Sequence, residues 1–265
     1  MSPVVDLWVN VVPPEVAKRW GEELFGPDSA RGTTADELVH TMDAFGVDVA
    51  VLSCGLSDDD SVERMLTLAG DHPGRLYVGP TIDRATKPVL MCRRLRELAQ
   101  HERVRMVRVS PLVEQHPLND RLYYPVYATA SELGLPVSIN VGVPGPPVRS
   151  RCQDPVLLED VLIDFPDLAV VGAHMGHPYE ALLIQYMLKW PNLHLSNSAY
   201  LATYMDPALV RFMDSRRGRG RVLFATDWPW LPMDRALEAA RKLPLSEEAM
   251  DLFLGGTAAK ILEIE

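Results

Sequence analysis

LAVVGAH (168–174), LHLSNS (193–198) and RVLFATD (221–227) are three short β-rich runs that end in polar residues and are parted from one another by helical stretches. Outward from them the same unit recurs as PVSINV (136–141), VRMVRVS (104–110), LYVGPTI (76–82), VDVAVLS (47–53) and VVDLWV (4–9), which makes eight strands. Apolar residues at helical spacing mark 34–45, 61–71, 88–99, 121–133 and 155–165, several opened by Asp, Ser or Thr, with 58–61 a cap-rich start. Strands alternating with helices form parallel sheet. Eight such units without a break in composition predict an α/β fold, a (β/α)8 TIM barrel, as a single domain over 1–265. An open doubly wound sheet is the alternative, but no Gly-x-Gly-x-x-Gly turn follows the first strand. The irregular stretches 11–31 and 143–153 are longer than usual connections, and both are expected over the barrel mouth.

Bulk composition narrows the partners. With 265 residues, 47% hydrophobic and 23% charged, the chain can bury one large core. Its net charge of −10 opposes any electrostatic grip on nucleic acid or on an anionic membrane. Arg216, Arg217, Arg219 and Arg221 form a local basic cluster that reads as a solvated loop between helix and strand. Three cysteines far apart (Cys54, Cys92 and Cys152) make neither a disulfide framework nor a thiolate zinc motif. The start MSPVVDLWVN lacks the pattern of a secretory signal, and no apolar run approaches the ~20 residues of a membrane span. A cytoplasmic protein acting on a small-molecule substrate is expected.

In a parallel barrel, functional side chains stand at the C-terminal strand ends. The polar set there is Asp6, Trp8 and Asn10 on the first strand, Arg108 and Ser110 on the fourth, Asn140 on the fifth, His174 on the sixth and Asp227 on the eighth. By parity Asp6, Trp8 and Asn10 share one face. His174 is either a structural imidazole or the polar group of a site. Asp227, set before Trp228-Pro229-Trp230, has an environment that raises its pKa and suits it to proton transfer; capping the next turn is its plainer role. Arg108, if inward, would bind a carboxylate, and if outward would be solvated. Trp8, Trp228, Trp230, Tyr200 and Tyr204 are expected to make the mouth partly apolar, suited to an aromatic or polyketide-like molecule. His40, His72, His101, His116 and His194 lie away from the strand ends and receive no role.

The segments VVDLWVNVVPPE (4–15), YYPVYATASELGLPVSINVG (123–142), PDLAVVGAHMGHP (166–178), KWPNLHLSNS (189–198) and RVLFATDWPW (221–230) resemble the amidohydrolase-related family. That family includes aminocarboxymuconate-semialdehyde, orsellinate and resorcylate decarboxylases and pyrone-dicarboxylate lactonase. The resemblance implies a barrel of the metal-dependent-hydrolase type. Members with a divalent ion hold it by a His-x-His pair on strand one, a histidine ending strand five and an aspartate ending strand eight, with the strand-six histidine acting on water or substrate. Trp8, Asn10 and Asn140 stand here where the resemblance places three imidazoles; His174 and Asp227 keep the expected type. An indole offers no usable lone pair and a neutral amide is a poor zinc ligand. The expectation is therefore no metal and no cofactor, with zinc on substitute ligands as the alternative.

From these residues the sequence predicts a metal-independent hydrolase of a lactone-like ester. Asp227 takes a proton and His174 polarises or protonates the opposite oxygen, while Trp8, Asn10, Asn140, Arg108, His177, Trp228 and Tyr200 bind substrate. The same pocket could decarboxylate an aromatic or polyketide-like acid, or cyclise or dehydrate it. A non-catalytic binding protein on a decayed barrel is the third reading. Related barrels also suggest a homodimer.

Overall fold

A computed structural model describes residues 1–14, 17 and 32–264; most of the stretch 11–31 expected over the mouth lies outside the described residues. The strands β1 (Val5–Val9), β2 (Val49–Gly55), β3 (Leu76–Ile82), β4 (Val107–Val109), β5 (Val137–Asn140), β6 (Val170–Ala173), β7 (Leu193–Ser196) and β8 (Val222–Leu223) are neighbours in sequence order in one sheet. Every pairing along it is parallel. The seam between β8 and β1 closes through backbone bonds: Leu7 N to Phe224 O (3.2 Å), Asp227 N to Trp8 O (2.8 Å) and Asn10 N to Trp228 O (2.8 Å). The chain is a (β/α)8 barrel, as the alternation predicts.

The helices that follow the strands are α1 (Ala35–Phe45), α2 (Asp59–Asp71), α3 (Pro88–Leu98), α4 (Tyr124–Glu132), α5 (Leu158–Asp164), α6 (Glu180–Lys189), α7 (Pro207–Met213) and α8 (Met233–Arg241). Thr34 and Glu37 open α1 as a reciprocal capping box, and Gly46 ends it at φ 73°. Asp58 opens α2, its carboxylate accepting from Ser61 N at 3.1 Å. Two predicted elements are shorter than their pattern. Of 104–110 only Val107–Val109 is laddered, and the run expected over 155–165 begins as a tight turn, Pro155–Leu157, before α5.

Side chains divide into two apolar sets. Ala50, Leu52, Val107, Val109, Val137 and Ile139 join the large core beneath the helices, whereas Val49, Val51, Met106, Val171, Ala173, Leu223 and Ala225 fill the barrel interior. Ala258, Ala259, Leu262 and Ile264 from the C-terminal segment plug the end away from the strand tips.

Strand one departs from simple alternation. Asp6 pairs with Ala50 and Val9 with Leu52, so β1 carries one more residue than β2 between those points. This bulge reverses parity: Val5, Leu7 and then Trp8 belong to the interior set, and Val9 to the outer core. Asp6 therefore does not share a face with Trp8, contrary to the parity expectation. It turns to the seam, accepting from Thr226 Oγ1 (2.5 Å), Thr226 N (2.9 Å) and Trp8 N (3.2 Å).

Three of the four arginines in the basic cluster have local partners, while Arg216 is exposed. Arg217 donates to Leu188 O, Arg221 to Trp190 O and Leu193 O, and Arg219 pairs with Glu248. No described helix is long and apolar enough to cross a membrane.

Candidate active site at the strand ends

Asp227 and His174 both occupy left-handed backbone, at φ 63° and 61°. For a residue with a β-carbon that conformation costs roughly 1–2 kcal/mol, and here it turns each side chain sharply off the end of its strand. Asn10 Nδ2 donates to Asp227 Oδ1 (2.8 Å) and to Trp228 O (3.0 Å), which ties strand one to strand eight at the site. With Oδ1 occupied as an acceptor, Oδ2 is the oxygen free to carry a proton. Asp227 is half-buried, yet the packed groups around it push its pKa up to about 7. Burial is the cause; the Asn10 hydrogen bond and the Arg108 charge oppose it only in part.

His174 is aimed by Ser198. The Ser198 hydroxyl accepts from His174 N (3.1 Å), and Nδ1 lies 3.2 Å from the Ser198 carbonyl. The Ser198 hydroxyl also lies 3.0 Å from Nδ1; in the tautomer that donates Nδ1–H to the carbonyl, Nε2 presents its lone pair. Burial lowers the His174 pKa to about 4, the Ser198 carbonyl opposes that, and the Arg108 charge adds to it. At neutral pH the site thus pairs a neutral imidazole with a carboxyl group poised to hold or lose a proton.

Trp8 and Arg108 complete the floor. The Trp8 ring lies 5.1 Å from the His174 ring, and the Arg108 guanidinium 4.1 Å from the Trp8 ring. Arg108 points inward but is wholly buried, its Nη2 donating to Leu7 O (2.8 Å) and Val51 O (3.0 Å). Substrate therefore does not meet Arg108 directly in this arrangement, which corrects its expected place in the substrate contact set. Asn140 ends β5 with its Oδ1 buried and unpartnered, and its register partner Ala173 immediately precedes His174.

One other expectation changes. Trp228 packs its side chain into the outer core, leaving only its backbone at the site. His177 and Tyr200, just beyond His174 and Ser198 in the chain, pair with rings 5.9 Å apart. His177 Nδ1 meets the buried Glu180 carboxylate at 2.6 Å, and the Tyr200 hydroxyl donates to Val143 O at 3.4 Å. Sequence reading missed Ser198 and Glu180; a serine one residue past a strand, and a glutamate three residues after a histidine at a helix start, were the available signals. Tyr204 is exposed. A surface groove of about 810 Å³ between α3 and α4, lined by Val89, Cys92 and Ala128, lies outside the barrel, remote from this chemistry.

The divalent ion that the resemblance implies does not fit these residues. Among the described residues no group of three or more His, Cys, Asp or Glu is placed to hold a metal. Of the positions that would surround it, Trp8, Asn10 and Asn140 offer an indole and two amides and only His174 and Asp227 offer an imidazole and a carboxylate, with a guanidinium stacked against the indole.

A family model described as amidohydrolase matches residues 5–264. Among solved structures, an uncharacterised TIM-barrel protein from Bordetella bronchiseptica is 24% identical with a TM-score of 0.80, covering 98% of each chain. The 5-carboxyvanillate decarboxylase of Sphingomonas paucimobilis is 19% identical with a TM-score of 0.78, covering 100% of each. A dihydroxybenzoic acid decarboxylase from Polaromonas sp. JS666, with bound manganese and the inhibitor 2-nitroresorcinol, is 16% identical with a TM-score of 0.77, covering 99% of this chain and 97% of that one. Among curated proteins none matches this chain. At these identities the structures speak for the fold alone.

Proposed function

Because the chain belongs to the amidohydrolase family of enzymes, we propose that it is a metal-independent carboxy-lyase acting on a small hydroxylated aromatic or enolisable carboxylic acid. The observation that carries the reading is that left-handed backbone turns both Asp227 and His174 off the ends of their strands, with burial pushing the Asp227 carboxyl up to about 7 and the His174 imidazole down to about 4. Its Oδ2 proton passes to the substrate carbon that bears the carboxylate. The carbon–carboxylate bond then breaks, its electron pair stays on that carbon, carbon dioxide leaves, and solvent returns a proton to Asp227. His174 Nε2 accepts from a substrate hydroxyl and so supports the electron-rich ring. The decarboxylase neighbours favour this reading over ester hydrolysis at the level of fold. Metal independence rests on the donor set, which offers one imidazole and one carboxylate where zinc catalysis wants three ligands.

Hydrolysis of a lactone-like ester is the second reading, favoured by one feature: with Nδ1–H donated to the Ser198 carbonyl, His174 Nε2 can take a proton from water. Incubating the enzyme in D2O with hydroxybenzoates and with lactones separates the two. Deuterium at the carbon that lost carbon dioxide identifies the carboxy-lyase. Asp227→Asn is expected to lower kcat/KM by about 100- to 10,000-fold; turnover unchanged in that variant would end the proposal. A homodimer remains part of the same proposal, checked by light scattering.

A further inference from the structure

Arg108 is a fully buried cation that the proposed chemistry does not use. Its construction is specific. Gly79 on β3 leaves the space its side chain crosses, since a β-carbon there would lie 3.2 Å from Arg108 Nε and 2.7 Å from Met106 Cγ. The β1 bulge supplies one of its two carbonyl acceptors, Leu7 O, and the Trp8 ring covers the guanidinium at 4.1 Å. Nε and Nη1 have no partner among the described residues. Nη2 already spends a hydrogen on each side of the fork, so no edge of the guanidinium is left for two-pronged capture of a substrate carboxylate. Burial lowers its pKa only to about 10, partly opposed by Asp227, Cys54 and Asp6, so it remains charged at neutral pH.

We propose that Arg108 is the resident cation of this site, a positioning residue that supplies beneath Trp8 the fixed positive charge a divalent ion would supply, and that it thereby closes the site to such an ion. This rests on the metal-independent reading and adds to it. The missing imidazoles explain why an ion would be weakly held, and Arg108 is a second, electrostatic barrier that restoring those imidazoles would not remove. A guanidinium and a divalent ion within several ångströms, in a site of low effective dielectric, repel strongly enough to change affinity on the order of 100-fold or more.

The test restores the ligands and then removes the charge. Manganese binding is read by electron paramagnetic resonance in the full chain, in a triple variant (Trp8→His, Asn10→His, Asn140→His), and in that triple variant carrying Arg108→Gln or Arg108→Lys. Glutamine keeps two N–H groups for Leu7 O and Val51 O but is neutral, whereas lysine keeps the charge; Arg108→Met serves as the neutral variant if the glutamine chain does not fold. Binding is expected to be weak in the triple variant and with Arg108→Lys, and about 100-fold tighter with the neutral substitution. Equal affinity in the charged and neutral backgrounds, with unmodified protein still binding no stoichiometric ion, would overturn the role of Arg108 and leave the metal-independent reading standing. One tightly bound manganese per unmodified chain would overturn both.

Discussion

Replacing Asp227 by asparagine should make the protein more stable at alkaline pH while removing its activity. The folded pKa of this carboxyl is about 7 against an ordinary 3.8. Each pH unit of that gap is about 1.4 kcal/mol, so the ceiling on the cost of ionising Asp227 in the fold is about 4 kcal/mol. Partial contact with water and the field shared with Asp6, itself raised to about 6, reduce the working figure to about 2 kcal/mol. Between pH 4 and 7 the folded state holds more protons than the unfolded chain. The ionisation cost is accordingly absent below about pH 4, grows as pH rises, and is complete above about pH 7. Asparagine keeps the shape, can still accept from Asn10 Nδ2, and tolerates the left-handed backbone at φ 63°. Urea unfolding of both chains from pH 4 to pH 8 should show a stability difference that widens by about 2 kcal/mol toward pH 8, roughly 4–8 °C in Tm. A difference that stays flat across that range, or an asparagine chain that loses ground as pH rises, would refute the assignment of a buried, proton-holding Asp227.

Three further outcomes follow from the same geometry. Thr226→Val leaves the buried Asp6 carboxylate without its hydroxyl donor and should destabilise the fold by about 1–3 kcal/mol in urea melts, because Asp6 seals the seam between β1 and β8. Gly79→Ala drives a methyl into Met106 and Arg108, for a loss of about 1–3 kcal/mol and a changed Trp fluorescence as the stack on Trp8 shifts. Ser198→Ala removes the hydroxyl but keeps the carbonyl at His174 Nδ1, so turnover in the D2O assay should fall far less than with His174→Ala, which loses about 100-fold or more.

The alternation of eight β-rich runs with helical ones pointed to the barrel, because strand and helix periods are written locally, while closure itself is decided by the backbone bonds that join β8 to β1. It also placed Asp227 and His174 at strand ends, as position along a strand requires no knowledge of neighbours. What the linear chain could not decide was direction. One extra residue in β1, visible only against the register of β2, sends Asp6 to the seam and Trp8 to the interior. Left-handed backbone at His174 and Asp227 aims both side chains, and the partners that set their protons, Ser198 and Asn10, lie 24 and 217 residues away in sequence. Arg108 looked like a substrate contact because its type is suited to carboxylates; the structure buries it beneath Trp8, since Gly79 opens a path across the barrel that no pattern on β4 reveals. Residue types and strand ends are properties of the chain itself, but burial, charge balance and proton affinity arise from groups that meet only when the barrel closes.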